Sequence, residues 1–217
     1  MQTKTALRVA VVGFCLGVLV IAGAQQRQPD FHTQPPKPSS AYDEPMTGYE
    51  VAVITAEFIL NLERGLSQAF DRPITTASAG AVSLSGKHPE WAREALKTLK
   101  ARGAIPPKFS GSKPMPRYQV GQMLAQYVQR LDSRLRQQMG APIGRVEFQT
   151  LPTIRLDRKH PAYSALRMLA RGGWVMAEAP LYREPLAPIQ GKELPSMLRD
   201  VANRALERYR DEPHLKE

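Results

Sequence analysis

The sequence predicts an all-α protein built from helix–loop–helix units, and three observations carry this prediction. Apolar residues recur at helical spacing in several stretches. The same short motifs open more than one of these stretches. Only one short run, residues 145–149, alternates apolar and polar side chains as a half-buried strand does. The clearest helical face lies in residues 114–135 and consists of Val120, Leu124, Tyr127, Val128, Leu131 and Leu135.

The most complete unit, copy two, occupies residues 83–136. Its first helix opens with His88-Pro89-Glu90-Trp91-Ala92 and stops at Gly103, since glycine commonly follows the last turn of a helix. A loop rich in Pro, Gly and Ser carries Phe109. The motif Pro114-Met115-Pro116-Arg117-Tyr118 then opens a second helix.

Two other stretches are partial copies of this unit. Copy one, residues 43–70, repeats the second-helix motif as Pro45-Met46-Thr47-Gly48-Tyr49-Glu50 and has no first helix. Copy three, residues 154–210, repeats the first-helix motif as His160-Pro161-Ala162-Tyr163. Its second motif is matched at residues 184–190, which aligns Pro188 with Arg117 and Gln190 with Gln119. A repeated unit of this size buries its apolar face against neighbouring units.

The segment before copy one has the features of export. Residues 1–24 combine Lys4 and Arg8, a short apolar run and the small-residue site Ala22-Gly23-Ala24, which predicts a cleaved signal peptide. An uncleaved membrane anchor is the alternative. Residues 25–42 are polar and proline-rich, which predicts a disordered linker. Cys15, the only cysteine, lies inside the predicted signal, so the exported chain would hold no disulfide.

The net charge of the chain is +10. A basic exported protein favours polyanions, which outside the cytoplasm are wall polymers, lipid phosphates or extracellular nucleic acid. The alternative is a solvated basic surface with no polymer partner.

The motifs of copy two resemble the repeat of the S-layer homology (SLH) domain. The matching features are His88 with Trp91-Ala92, Gly103-Ala104-Ile105, Phe109 in the loop, and Pro116-Arg117-Tyr118-Gln119. In that family three repeats pack around a pseudo-threefold axis as an all-helical unit. The resemblance implies the same arrangement here, with one well-formed repeat and two degenerate or partial ones, after a signal peptide and a Pro-rich linker.

The resemblance also implies a ligand. In the family, grooves between repeats bind secondary cell-wall polysaccharide or a peptidoglycan-linked polymer, and the motif arginine and first-helix tryptophan line them. Only copy two keeps the motif arginine, because Gly48 and Pro188 take its place in the other copies. The ligand-binding residues that the resemblance implies are Trp91, Arg117, Tyr118, Gln119, Glu50 and Tyr163. Against this stands a purely structural interpretation, in which Trp91 anchors the core and Arg117 is a solvated first-turn residue.

No motif argues for catalysis or a metal. The four histidines, His32, His88, His160 and His214, lack zinc-binding spacings, and the glycines before Lys87 lack the spacing of a phosphate loop. We therefore predict no enzymatic activity and no cofactor, and we expect no nucleic-acid partner.

Two functions follow from these residues. The first is an exported protein of the cell envelope or cell surface that attaches to or spaces the wall by binding an anionic wall glycan. The second is a structural or protein-interaction module of the envelope that keeps the SLH-like fold and has lost glycan binding, with other envelope proteins as its candidate partners. The basic composition and the Trp91–Arg117 pair favour the first, while the missing motif arginines favour the second. An envelope enzyme is a third hypothesis, which no motif supports.

Overall fold

A computed structural model describes residues 43–78, 83–139 and 151–210 of the chain. The predicted signal peptide, the linker and the alternating run at 145–149 lie outside these residues.

The described residues confirm the all-α prediction, because 58% of them are helical and none forms a strand. Copy one contributes one helix, copy two contributes two, and copy three contributes two helices and a single helical turn. They are α1 (Gly48–Phe70), α2 (Glu90–Ala101), α3 (Arg117–Met139), α4 (Tyr163–Gly172), α5 (Pro180–Arg183) and α6 (Glu193–Arg210).

The apolar faces predicted from helical spacing form the core. All six residues of the predicted face of α3 have no exposed surface. Met123 is equally buried on the same helix. Copy three adds Trp174, which is 2% exposed and follows the turn that ends α4. The residues that α6 contributes to the core are Leu194, Met197, Leu198, Val201, Ala202 and Ala205.

The first helix of each copy packs against the second helix of the copy before it. Thus α2 packs on α1 and α4 packs on α3, while α6 closes the arrangement against α1. The first helices end in the same way. Gly103 and Gly173 follow α2 and α4 with left-handed φ values of 58° and 57°, and the next amide donates to Leu99 or Leu169. Glycine adopts this conformation without a steric penalty, so it ends both helices.

A buried ion pair ties α1 to the end of α2. Arg102 donates to both carboxylate oxygens of Glu63, from Nη2 to Oε2 at 2.7 Å and from Nε to Oε1 at 3.1 Å, and the two side chains are 9% and 5% exposed. Thr76 donates to the same carboxylate through its amide and its hydroxyl, at 2.9 Å and 2.6 Å. A buried carboxylate is tolerated when its lone pairs are satisfied in this manner.

Three short segments, one before each of α1, α3 and α6, pair with one another in a ring. The Met46 amide donates to the Ile189 carbonyl at 2.9 Å, the Ile189 amide donates to Met115 at 2.8 Å, and the Met115 amide donates to Met46 at 2.9 Å. Three antiparallel bridges flank these bonds, joining Pro45 to Gln190, Thr47 to Pro114, and Pro116 to Pro188. The three copies therefore meet through equivalent backbone positions.

The ring corrects the alignment of copy three. Because Ile189 is equivalent to Met115, the position of Arg117 is taken by Gly191 and not by Pro188. By the same equivalence Glu193, and not Gln190, corresponds to Gln119. Copy three therefore carries an acidic residue at this position, as copy one does with Glu50. Pro195 then falls in the first turn of α6, where proline is tolerated.

Candidate functional site

Two junctions between copies contain most of the residues that the sequence singles out. At the first junction, between copies one and two, the Gly48 and Tyr49 amides donate to the Lys113 and Gly111 carbonyls at 3.0 Å and 2.8 Å. At the second junction, between copies two and three, the amides of Arg117 and Tyr118 donate at 2.9 Å each to the carbonyls of Ala187 and Pro185. The start of a second helix thus docks on the loop of the next copy in both places.

The first junction holds an aromatic cluster around Tyr49. The ring of Tyr49 lies 5.9 Å from Trp91, 6.0 Å from His88 and 6.2 Å from Phe109, in edge-to-face geometry each time. Trp91 is only half-buried and does not belong to the apolar core. The interpretation of Trp91 as a core anchor is therefore wrong, and part of its ring faces solvent.

The imidazole of His88 is held at both nitrogens. Its Nε2 lies 2.9 Å from the Ser85 carbonyl, so this nitrogen carries the hydrogen. Its Nδ1 lies 3.2 Å from the Tyr49 hydroxyl, which donates to it. His88 therefore orients Tyr49 within the cluster.

The motif position of the first junction is closed. A Cβ atom placed on Gly48 would lie 2.4 Å from the Ser110 carbonyl oxygen, and one placed on Gly111 would lie 2.1 Å from the ring of Tyr49. No side chain, and so no arginine, fits at Gly48 without a shift of the backbone. Glu50 is not a free ligand-binding group at this junction either. Its carboxylate accepts hydrogen bonds from the Thr47 amide at 2.7 Å and from the Thr47 hydroxyl at 2.8 Å. The bond from the Thr47 amide, together with that from the Glu50 amide to the Thr47 hydroxyl at 3.4 Å, forms the capping box of α1.

The second junction contains Arg117, which is buried at 5% exposure and is not a solvated residue. Its Nε and Nη2 donate to the two carboxylate oxygens of Glu193 at 2.8 Å and 2.6 Å. Its Nη1 donates to the Glu184 carboxylate at 2.8 Å. The hydrogen bond to Glu193 is the main reason why the pKa of Arg117 is raised above its usual value.

Arg117 therefore uses all three guanidinium nitrogens within the protein. A fork of two parallel bonds to one carboxylate is the strongest geometry that arginine makes. An acidic ligand would have to displace Glu193 or Glu184 to reach it. Beside it, Gln119 is buried at 8% exposure, and the ring of Tyr118 packs edge-to-face on His160 at 4.8 Å. The pairing of Tyr118 with His160 matches that of Tyr49 with His88.

Tyr163, the last predicted ligand residue, lines a cleft of about 330 Å³ beside α4. The other side of this cleft is the segment that precedes α4. Among the described residues, no acidic side chain lines this cleft. The lining residues are Leu151, Pro152, Thr153, Ile154, Leu156, Arg158, Tyr163, Arg167, Ala170 and Arg171.

The predicted site residues thus fall in three places, with Trp91 and Glu50 at the first junction, Arg117, Tyr118 and Gln119 at the second, and Tyr163 in the cleft. The sequence analysis missed Glu184 and Glu193 as partners of Arg117, and it missed the arginines of the cleft. One signal for the cleft was present in the sequence, because α4 carries Arg167 and Arg171 and no acidic residue.

Comparison of the chain with protein-family models, with curated proteins and with solved structures finds no match. Within the described ranges, no cluster of histidine, cysteine or acidic side chains is arranged to hold a metal. Across the same part of the chain, no helix combines the length and apolar character needed to span a bilayer.

Proposed function

We propose that the protein is an exported, non-enzymatic component of the cell envelope that attaches to the wall by binding an anionic wall glycan through SLH-like repeats. The ring of hydrogen bonds among Met46, Met115 and Ile189 carries this proposal. Three copies joined cyclically at equivalent backbone positions are what a pseudo-threefold arrangement of SLH repeats requires. Export rests on the predicted signal peptide at residues 1–24.

The partial exposure of Trp91 supports glycan binding. Aromatic faces pack on the apolar faces of sugar rings, and Trp91 is packed edge-to-face against Tyr49, which His88 and Phe109 contact in turn. A ring fixed before binding loses little rotamer freedom when the ligand arrives. Without residues 1–24, which hold Lys4 and Arg8 and no acidic residue, the exported chain keeps a net charge of +8, which favours an acidic polymer over a neutral one.

The second candidate is a structural or protein-interaction module of the envelope, and the environment of Arg117 favours it. The cation that the resemblance places in a ligand groove is paired with Glu193 and Glu184 instead. Under this function the arginine holds copies two and three together, and the partners are other envelope proteins.

Sedimentation with purified bacterial sacculi tests the glycan proposal through Trp91. We expect Trp91→Leu to weaken binding, because leucine keeps apolar bulk at the junction and removes the flat ring. Trp91→Phe keeps an aromatic face and serves as the matched control, with binding between that of the native protein and Trp91→Leu. Thermal unfolding of each variant checks that the junction remains folded. Equal binding by all three proteins would exclude Trp91 as a glycan contact.

A further inference from the structure

The cleft beside α4 concentrates positive charge on one ridge. Tyr163, Arg167 and Arg171 follow one another at a spacing of four residues, so their side chains share one face of the helix. Arg158 approaches from the segment that precedes α4, and the buried Ala170 lies between the two sides. Three guanidinium groups and one phenol ring therefore line the same concave surface.

These three arginines have no counterion among the described residues. Arg158, Arg167 and Arg171 are exposed, and none forms an ion pair with any residue in the part of the chain that the structure describes. Like charges four residues apart on a helix repel, at a cost of roughly 0.2–0.5 kcal/mol per pair. The free protein therefore carries an unfavourable interaction that a bound anion would relieve.

The equivalent helix of copy two, α2, forms ion pairs on the corresponding part of its surface. On α2 the guanidinium of Arg93 pairs with Glu90 at 2.7 Å, and Lys97 pairs with Glu94 at 2.6 Å. Both of these cations have a carboxylate three residues before them. On α4 the corresponding positions hold no acid, so the unbalanced charge belongs to copy three and is not a general property of the repeat.

We propose that this cleft binds an acidic sugar, meaning a pyranose that carries a carboxylate or a phosphate. The arginine fork matches the geometry of either anion, and the half-buried ring of Tyr163 offers a face for the sugar. The volume of about 330 Å³ is at the lower end of the range of small-molecule sites, which suits one or two sugar units. The site is separate from the Arg117 ion pairs and needs neither Glu184 nor Glu193 to move.

The inference deepens the proposed function, since an acidic sugar is the unit of an anionic wall glycan, but it does not require that Trp91 binds the same polymer. The probes are two acidic sugars, glucuronate and glucose 6-phosphate. Glucose is the control for a sugar without charge, and inorganic phosphate is the control for an anion without a sugar. Binding is followed by nuclear magnetic resonance at constant ionic strength. We expect shifts in the signals of Tyr163 and its neighbours with an acidic sugar, and much weaker ones with glucose or phosphate.

The decisive variant is Arg167→Gln combined with Arg171→Gln. Both residues are exposed, so the fold should be retained, which circular dichroism verifies. Loss of the charge-assisted contacts should weaken acidic-sugar binding by roughly ten- to a hundredfold. The matched control removes equal charge from exposed sites elsewhere, with Arg134→Gln on α3 and Arg64→Gln on α1, neither of which forms an ion pair within the described residues. If control and cleft variants lose binding equally, the attraction is diffuse and the proposed site is wrong.

Tyr163 provides an independent test. Tyr163→Phe should bind as the native protein does, because the ring is retained, whereas Tyr163→Ala should bind more weakly.

Sedimentation with sacculi distinguishes an error in the proposed cleft site from an error in the proposed function. If the native protein and the cleft variant sediment equally well with sacculi and neither acidic sugar shifts Tyr163, the cleft is excluded while wall attachment stands. If the sugars bind and sacculi do not, the cleft stands and wall attachment fails.

Discussion

Arg117 joins copies two and three through two carboxylates of copy three. Its side chain is 6% exposed, that of Glu193 is 9% exposed, and that of Glu184 is 68% exposed. An arginine in the first turn of a helix is disfavoured by the helix dipole, yet the fork to Glu193 more than offsets this. The side chain therefore acts first as a structural contact.

Replacement of Arg117 should destabilise the protein. Arg117→Met leaves Glu193 buried without its cation, and we expect a loss of about 3 kcal/mol in the free energy of unfolding, as for other broken buried pairs. Urea unfolding measures the change. The additional change Glu193→Gln should restore part of the loss, because it removes the unpaired charge and keeps an acceptor for the Gln190 amide.

Glu184→Gln is the control for this experiment. Its carboxylate is mostly exposed, so its loss should cost less than about 1 kcal/mol. Unchanged stability in Arg117→Met would show that the ion pair to Glu193 does not form in solution, and the arginine would then be available to a ligand.

Asp200 carries a pH-dependent contribution to stability. Burial is the main cause that raises its pKa above the usual value of 3.8, and Glu178 adds to it, while the Met176 amide and Arg199 oppose it. A raised carboxyl pKa means that the folded state disfavours the ionised form. Its favourable contribution is complete below pH 3.8 and is lost as the pH rises through the raised value.

Asp200→Asn should therefore stabilise the protein relative to the native chain at neutral pH, with a gain that shrinks as the pH falls towards 3.8. Asparagine keeps the oxygen that accepts from the Met176 amide at 3.2 Å. Unfolding in urea at a series of pH values measures the difference. A difference that does not vary with pH would contradict a raised pKa for Asp200.

The partners of these residues lay beyond sequence reasoning, and their separation along the chain explains why. Glu184 and Glu193 are 67 and 76 residues from Arg117, and Glu63 is 39 residues from Arg102. No local pattern connects such pairs. The sequence identifies the arginines and the acidic residues. Which acid pairs with which arginine depends on how the copies pack against one another.

At the scale of elements, the helices and their buried faces followed from the sequence because helical spacing is local. The stop at Gly103 and the buried face of α3 were predicted from such local patterns. Two features were not. The packing of each first helix on the preceding copy depends on tertiary contacts. The motif of copy three was misaligned because Pro185 was matched with the motif proline Pro114, whose place in the ring is taken by Pro188.

Replacing each of the two glycines of α1 by alanine should have opposite effects on the stability of the protein. Gly48→Ala forces a Cβ atom against backbone, 2.4 Å from the Ser110 oxygen, and should cost roughly 1–3 kcal/mol. Gly65→Ala meets nothing within 4 Å and should stabilise the protein by roughly 0.5–1 kcal/mol, because alanine is the better residue inside a helix. Thermal unfolding of the two variants gives the comparison. Equal stability of Gly48→Ala and the native protein would mean that the first junction is open.

At the scale of the whole molecule, the ring of Met46, Met115 and Ile189 makes the three copies interdependent. Copy one has only its second helix, yet α1 packs on both α2 and α6 and so closes the arrangement. The partial copies therefore contribute to the stability of the fold, because each supplies one segment to the ring and at least one helix to the core. The unbalanced charge lies outside the ring, beside α4, where a polymer can reach it.

The most direct test of wall attachment is sedimentation of the native protein with two preparations of bacterial sacculi. One retains its attached wall polymers, and the other has lost them through acid hydrolysis. At about 150 mM salt, where diffuse attraction between exposed charges is largely screened, we predict that the protein sediments with the first preparation and remains in solution with the second. Failure to sediment with intact sacculi, or equal sedimentation with both, would contradict attachment through an anionic wall polymer.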